Sequence, residues 1–347
     1  MWERRVGAAG AANPYFERPG KLRGFRRSHS LFPRRSRADY AGHVTATPSR
    51  DRFEGCLLGL ALGDALGAPH EGGPLERLLW RAIGTTGGRM RWTDDTQMAL
   101  DVAESLVAWR AVDPADLARR FADGYRWSRG YGPGTAQVLR RIGRGMDWRE
   151  AARSVHPHGS YGNGGAMRAP VVGLFWCTRR GELATAARAV AAVTHAHPLG
   201  IEGALLLAHA GADAVLGLDA AALLASCTTL GLSPPFAERL EVARAWTETG
   251  ATPTAPEVRD RLGNDVSALG SCVSALYVAT RFLRASFADM HAFAVAMGGD
   301  VDTIAAMAGA LWGAGNGAAA LPQAELARVE QLPRLRATAA ALHAAMP

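Results

Sequence analysis

The stretch LGSCVSALYVATRFL, residues 269–283, indicates the fold class of this 347-residue chain. Its apolar side chains fall at Leu269, Cys272, Val273, Leu276, Tyr277 and Leu283. Steps of three and four residues place these side chains on one face of an α-helix. Strand signals are nearly absent, since the chain has only four isoleucines and no convincing alternation of apolar and polar residues. We therefore predict an all-α fold, a single compact orthogonal helical domain.

Helical spacing recurs along most of the chain after residue 50. In WTDDTQM (92–98) and the residues after it, Met98, Val102 and Leu106 lie four apart and predict a helix. Other helices are predicted near 115–127, 134–144, 182–195, 200–216, 219–230, 236–249, 288–297, 303–313 and 323–345. Five glycine-rich stretches are interpreted as the turns between helices, at 59–72, 91–98, 129–134, 159–170 and 298–303. No fixed-period repeat is present, which argues against a solenoid.

The positive charge of the chain is concentrated at its N-terminus. Residues 1–50 contain eleven Lys and Arg against three acidic residues, a balance of +8. Because the whole chain carries +7, residues 51–347 carry −1. This near-neutral body argues against nucleic-acid binding except through the basic segment. We predict a disordered N-terminal tail at 1–50, rather than a signal peptide, and one domain at 51–347.

The composition also bears on metal and redox motifs, on membrane spans and on the cellular compartment. The four cysteines are widely spaced without a CxxC pair, so zinc and redox motifs are not expected, and a reducing compartment is favoured. The longest apolar stretch, 201–218, is interrupted by Glu202, His209 and Asp213, so no transmembrane helix is predicted. We expect a cytoplasmic bacterial protein, and a monomer because no heptad or exposed apolar stripe is evident.

Two acidic motifs about 200 residues apart each precede a predicted helix. They are Thr93-Asp94-Asp95 and Asp300-Val301-Asp302-Thr303. Either motif alone is as well explained by helix capping, because Asp and Thr accept hydrogen bonds from first-turn N–H groups. Together they offer four carboxylates and two hydroxyls, and these carboxylates would repel one another without a cation between them. Hard ions such as Mg²⁺ or Mn²⁺ prefer such oxygen ligands, which predicts a dinuclear metal cleft.

The glycine-rich stretches RGYGPG (129–134) and GSYGNGG (159–165) are candidate phosphate loops. Glycine lets backbone N–H groups approach a diphosphate closely, although most glycine-rich stretches are only turns. Tyr161 is a candidate for stacking on a base or ribose, with ordinary packing as the alternative. His195 is a candidate ligand contact, with a structural or surface role as the alternative.

Seven motifs in order resemble those of the ADP-ribosylglycohydrolase family. They are GDALGAPHE, TDDT, GYGPG, SYGNGGAMR, THAHPLG, LGND and GGDVDT, between about residues 53 and 320. The family includes dinitrogenase-reductase-activating hydrolases and ADP-ribosylserine hydrolases. SYGNGGAMR and LGND are most similar to the branch that cleaves O-linked ADP-ribose. The resemblance implies an all-α hydrolase with two Mg²⁺ ions in its cleft, Mn²⁺ being the other candidate.

The resemblance also assigns roles to individual residues. The implied metal ligands are Thr93, Asp94, Asp95, Asp300, Asp302 and Thr303. Glu71 matches a glutamate that gates or assists the reaction, and Asp302 is the ligand we assign to polarising the water. The implied substrate-binding residues are Gly130, Gly132 and Gly134 at the diphosphate, Ser160, Tyr161, Gly162 and Asn163 at the adenosine-side phosphate and distal ribose, and His195.

Three positions depart from the family pattern. Val301 replaces the middle threonine of GGDTDT, Asp265 stands where the O-linked branch often has glycine, and Pro133 stiffens the phosphate loop. Val301 leaves the principal ligands in place, whereas Asp265 and Pro133 bear on fine specificity.

The implied reaction is Mg²⁺-dependent hydrolysis of the C1″ glycosidic bond in an ADP-ribosylated protein or small-molecule conjugate. The expected conjugates are O-linked, such as ADP-ribosylserine or O-acetyl-ADP-ribose, with poly-ADP-ribose as a further candidate. Two alternatives stay open: hydrolysis of ADP-ribosylarginine, and a non-catalytic protein that binds ADP-ribose.

Overall fold

The computed structural model describes residues 48–347, which form seventeen α-helices and one short strand pair. The helices are α1 (Arg50–Gly67), α2 (Pro74–Ile83), α3 (Asp94–Trp109), α4 (Pro114–Gly124), α5 (Pro133–Gly143), α6 (Trp148–Ser154), α7 (Ala169–Phe175), α8 (Arg180–Ala192), α9 (Pro198–Val215), α10 (Ala220–Thr228), α11 (Pro234–Thr249), α12 (Ala255–Leu262), α13 (Ala268–Arg281), α14 (Phe287–Met297), α15 (Val301–Asn316), α16 (Gln323–Leu326) and α17 (Leu332–Ala345). Strands β1 (Thr85–Thr86) and β2 (Arg89–Met90) pair antiparallel. The all-α prediction is confirmed, whereas the predicted tail lies outside the described residues except for 48–50.

Helices α1 and α15 pack antiparallel with their backbones in direct contact. A Cβ added to Gly67 would lie 2.6 Å from the Cα of Asp302. Three further glycines of α1 meet α15 equally closely. These pairs are Gly55 with Gly313, Gly59 with Gly309, and Gly63 with Ala305. Because no side chain separates the two helices, their spacing is fixed by backbone atoms.

The interpretation of 59–72 as a turn is wrong, because α1 continues through this stretch to Gly67. Helix α1 is buried on nearly all sides, so its sequence lacks the polar face that marks a surface helix. Its glycines at every fourth position form the contact face with α15, although each disfavours a helix by about 1 kcal/mol relative to alanine. Close packing therefore overrides local propensity here.

The other predicted helices are found, with one exception. The predicted helix at 323–345 is interrupted, because α16 ends at Leu326 and α17 begins at Leu332. Val329 in the interruption forms a parallel bridge with Met90, and Gln331 has a φ of 49°. The segment 327–331 therefore pairs with the chain just before the TDDT motif instead of continuing a helix.

The remaining helices surround the α1–α15 pair. Helix α9 packs on α7, α8, α13 and α15, whereas α17 packs on α1 and α3. The first turns of α3 and α15 come together beside the C-terminal half of α1. None of the helices in residues 48–347 is long and apolar enough to cross a membrane.

We expect Gly59→Ala to destabilise the protein by about 2–3 kcal/mol, because the added methyl group would overlap the Gly309 carbonyl of α15. Gly181→Ala in α8 is the matched control, since a Cβ there meets open space. Guanidinium unfolding measures both. Equal stabilities for the two variants would show that α1 and α15 are not held in backbone contact.

Candidate metal and substrate site

The start of α3 is capped by a carboxylate from α1. Asp64 accepts hydrogen bonds from the backbone N–H groups of Thr93, at 2.9 Å, and Thr96, at 3.1 Å. The Thr93 hydroxyl accepts a third from the N–H of Asp95. These contacts satisfy the first turn without using the carboxylates of Asp94 or Asp95. Those two side chains are therefore available to a ligand.

The two acidic motifs meet at the first turns of α3 and α15. The Thr303 hydroxyl lies 3.4 Å from Oδ1 of Asp95, which joins the motifs directly. Carboxylate oxygens gather into two groups, each with its members within 4.8 Å of one another. The groups are Asp64, Asp95 and Asp302, and Glu71, Asp300 and Asp302. Asp302 belongs to both, so the groups are adjacent.

These carboxylates raise one another's pKa values. Burial raises the pKa of Asp95 and of Asp302 well above the usual range, and neighbouring acids raise them further. Burial raises the pKa of Asp64 to about 6, although hydrogen bonds from Thr96 and Thr93 oppose the shift. The Oδ2 atom of Asp95 is buried without a hydrogen-bond partner in the described part of the chain. Such crowded oxygen atoms suit a divalent cation, which would compensate their charge.

The turn before α15 depends on its two glycines. Gly298 and Gly299 have φ angles of 66° and 77°, a region that favours glycine. The turn brings the backbone N–H of Asp300 to 2.8 Å from the carbonyl oxygen of Asn264, in the LGND motif. The Asp300 side chain accepts a short hydrogen bond from Asn163. The GSYGNGG loop is thereby attached to the second acidic motif.

The RGYGPG loop lies against the first acidic motif. A Cβ on Gly130 would be 3.8 Å from Oδ1 of Asp94, and Gly130 has a φ of 84°. Gly132 is exposed at the N-terminus of α5, with open space around it. Gly134 faces His156. The loop therefore presents backbone N–H groups and a helix N-terminus beside the carboxylates, an arrangement that suits phosphate.

A buried ion pair fastens this loop to the TDDT motif. The Arg129 guanidinium donates to the Glu330 carboxylate and, at 2.7 Å, to the carbonyl oxygen of Trp92. The same Glu330 oxygen accepts the backbone N–H of Trp92 at 3.1 Å. Glu330 belongs to segment 327–331, so the C-terminal region supports both the metal motif and the phosphate loop.

The GSYGNGG loop carries the other predicted substrate residues. The Ser160 hydroxyl accepts from the N–H of Gly162, and Tyr161 is 57% exposed beside the His197 ring. Gly162 forms a bridge with Ser267. His195 is buried under the loop, and its Nδ1 lies 2.8 Å from the Thr194 hydroxyl. The loop therefore leaves Tyr161 open to solvent and covers His195.

The structure assembles the predicted residues into one region, with two qualifications. Asp94 lies half-buried beside Gly130 and belongs to neither carboxylate group. Asn163 donates to Asp300 and Ser271, which ties it to the metal motif. The metal, catalytic and substrate roles of these two residues and of all the other predicted site residues stay predictions.

Sequence reasoning missed Asp64, Arg168 and Glu330. Asp64 was detectable as the lone charge within the apolar run GLALGDALG. Arg168 was visible in SYGNGGAMR but received no role. Nothing in the local sequence marks Glu330, because its partners Trp92 and Arg129 are 238 and 201 residues away.

The three residues that depart from the family pattern each fit their local surroundings. Val301 is buried in the core at the start of α15. Asp265 is exposed, accepts from the N–H of Ser267 at 2.8 Å and joins neither carboxylate group. Pro133 occupies the first turn of α5, where its missing N–H costs no hydrogen bond.

Comparison with known proteins identifies the family of this chain. The family model for ADP-ribosylglycohydrolase matches residues 45–347. The chain belongs to the ADP-ribosylglycohydrolase family. Human ADP-ribosylhydrolase ARH3 is 33% identical over 325 residues, covering 80% of this chain and 89% of its own. The ADP-ribosyl-[dinitrogen reductase] glycohydrolase of Rhodospirillum rubrum is 32% identical over 47% of this chain and 58% of its own.

The fold of this ADP-ribosylglycohydrolase also matches a solved structure. A chain of an ADP-ribosylglycohydrolase-related protein complex superposes with a TM-score of 0.65 and 28% identity, covering 87% of this chain and all of its own. The resemblance found in the motifs is confirmed. As an ADP-ribosylglycohydrolase, the protein is a glycosidic-bond hydrolase that acts on ADP-ribosylated substrates.

Without divalent cations, we expect stability to fall as the pH rises. The folded state holds the carboxyl protons more tightly than the unfolded state, because the folded pKa values are raised. The loss runs from about pH 4 to about pH 6 for Asp64 and continues higher for Asp95 and Asp302. Saturating cation should remove most of this fall. Guanidinium unfolding between pH 4 and 8, with EDTA or with cation, tests this; identical curves would contradict it.

We expect Glu330→Ala to lower the free energy of unfolding by about 3 kcal/mol, because it leaves the buried Arg129 without its carboxylate. The KM for an ADP-ribosyl substrate should rise as well, since Gly130 follows Arg129. Glu325→Ala, at an exposed position of α16, is the control. If both variants unfold at the same guanidinium concentration, Glu330 does not support this site.

Proposed function

We propose that this protein is a Mg²⁺-dependent hydrolase of O-linked ADP-ribosyl conjugates, such as ADP-ribosylserine or O-acetyl-ADP-ribose. The observation that carries the proposal is the pair of carboxylate groups sharing Asp302, beside two glycine-rich loops. The RGYGPG loop, beside the first acidic motif, suits the diphosphate. The GSYGNGG loop lies against the second acidic motif. A substrate held by both loops would have its distal ribose next to the carboxylates.

The donor set fits two divalent cations. It consists of oxygen atoms alone, and the unpartnered Oδ2 of Asp95 adds an orphaned ligand atom. The residues that would hold the ions are Asp64, Thr93, Asp94, Asp95, Asp300, Asp302 and Thr303. When bound, the ions supply positive charge that attracts substrate hydroxyl groups and polarises water. Mg²⁺ is preferred to softer ions because no nitrogen or sulfur ligand is in either group.

Glu71 and Asp302 are the proposed catalytic residues. Both belong to the carboxylate group that also contains Asp300, so one can hold a proton while the other is ionised. The Oδ1 atom of Asp302 accepts from the N–H of Thr303 at 2.9 Å, which orients the carboxylate. We assign Asp302 to positioning the attacking water and Glu71 to the proton transfer at the glycosidic oxygen.

The preference for an O-linked conjugate rests on similarity along most of the chain. ARH3 proteins of chicken and human are 32% and 33% identical and cover at least 80% of this chain. The SYGNGGAMR and LGND motifs lie together here. The Asn163 side chain donates to the Asp300 carboxylate, and the carbonyl oxygen of Asn264 accepts from the backbone N–H of Asp300. Both motifs therefore contact the second acidic motif at Asp300.

A panel of defined conjugates tests the proposal. ADP-ribosylserine peptide, ADP-ribosylarginine peptide, O-acetyl-ADP-ribose and poly-ADP-ribose are assayed for release of ADP-ribose with Mg²⁺, Mn²⁺ or EDTA. We expect Mg²⁺-dependent release from the O-linked substrates. Asp302→Ala should lower turnover by about 10²–10⁴-fold, whereas Asp260→Ala, at an exposed position of α12, should not.

Each of the other outcomes would support a different function for this protein. Faster release from the arginine peptide would make the protein an ADP-ribosylarginine hydrolase. Tight binding of ADP-ribose without release from any conjugate would make it a binding protein. Hydrolysis that persists in EDTA would contradict the metal-dependent mechanism.

A further inference from the structure

Arg168 is a fully buried arginine without an ion pair in residues 48–347. No carboxylate oxygen lies within 4.0 Å of its guanidinium among the described residues, and none of its surface is exposed. A buried charge of this kind is costly unless several hydrogen bonds satisfy it. Its position between the GSYGNGG loop and α8 therefore requires an explanation.

Neutral oxygen acceptors surround the guanidinium. It donates to the carbonyl oxygen of Gly164, to that of Val190 at 3.0 Å, and to the Thr194 hydroxyl at 2.8 Å. Its Cζ also lies 4.8 Å from the centre of the Phe121 ring. Arg168 thus joins the substrate loop to the end of α8, where Thr194 and His195 follow.

The direction of the hydrogen bonds follows from the chemistry of arginine. A guanidinium can only donate, so the Thr194 oxygen accepts from Arg168. The Thr194 hydroxyl proton then points to its remaining partner, the Nδ1 atom of His195, at 2.8 Å. The Thr194 oxygen has a second lone pair and could also accept from an Nδ1–H, but its own proton would then have no acceptor among its hydrogen-bond partners in the described residues. The arrangement that satisfies every proton has Nδ1 accepting, so Nδ1 carries none of its own. The imidazole proton of a neutral His195 is therefore on Nε2.

His195 is neutral for an independent reason. Burial, together with the positive charge of Arg168, lowers the pKa of its imidazole to about 3. The ring is thus uncharged near neutral pH, and only its tautomer is left to decide.

The Nε2 edge of this ring lies against the substrate loop. A Cβ on Gly162 would be 3.3 Å from Nε2, and a Cβ on Gly164 would be 2.9 Å from it. Glycine at both positions leaves room for the ring directly beneath the loop backbone. The tautomer consequently determines whether a donor or an acceptor faces the loop.

We propose that Arg168 and Thr194 are positioning residues that hold His195 in the Nε2–H tautomer and so present a hydrogen-bond donor to the substrate loop. A donor suits the phosphate and hydroxyl oxygens of an ADP-ribosyl ligand, whereas an acceptor would repel phosphate oxygens. The benefit to substrate binding rests on the proposed function. The tautomer itself is a property of the ligand-free protein.

Long-range ¹H–¹⁵N NMR spectra of the ligand-free protein test the tautomer directly. The His195 signals are assigned by their loss in His195→Gln. We expect Nε2 to carry the proton in the native protein and in Thr194→Ser, which keeps the hydroxyl. Thr194→Val keeps the shape and removes the hydroxyl, so it should populate the Nδ1–H form. Thr338→Val, a buried threonine of α17, is the control and should match the native protein.

Kinetics of the same variants test the consequence. Thr194→Val should raise the KM about three- to tenfold, the effect of losing one hydrogen bond, with a smaller change in kcat. Thr194→Ser should keep the native KM. An Nδ1–H tautomer in the native protein, or an unchanged tautomer in Thr194→Val, overturns the inference whatever the activity. An Nε2–H tautomer in a protein that hydrolyses no conjugate would instead refute the proposed function alone.

Discussion

The backbone contact between α1 and α15 determines where every other part of the site lies. Four glycines of α1 bring the two helices together without intervening side chains. Asp64 near the end of α1 then reaches the first turn of α3, and Glu71 just beyond α1 reaches Asp302 at the start of α15. One helix pair thereby organises carboxylates from three separate regions of the chain, at 64–71, 95 and 300–302.

The capping of α3 by Asp64 resolves the question raised by two adjacent aspartates at a helix start. A helix ordinarily uses its own Asp or Thr to satisfy its first N–H groups. Here Thr93 and a carboxylate from another helix do so, which frees Asp95 to meet Thr303 and Asp302. Capping and ligand binding are thus divided between different residues, and the two interpretations of the motif are compatible.

The sequence predicted the helical fold and the convergence of the acidic motifs, because periodicity and residue type carry that information. It failed at 59–72, where glycines that resemble a turn form a helix face whose partner is about 250 residues away. Glu330 and Arg168 were missed for a related reason. Their importance lies in backbone carbonyl and N–H groups that they contact, and the identity of a residue does not reveal such contacts.

The exposed Tyr161 and Val266 stand on loops, whereas the carboxylates stand on helices whose separation no single side chain controls. The loop residues and the spacing of the carboxylates can therefore change independently in evolution. Loop residues can change the recognised acceptor without altering the distances between the ligand oxygens. The contact face between α1 and α15, in contrast, tolerates few substitutions, since one added methyl group would push the two helices apart. Relatives with different acceptors would then share one invariant chemical centre.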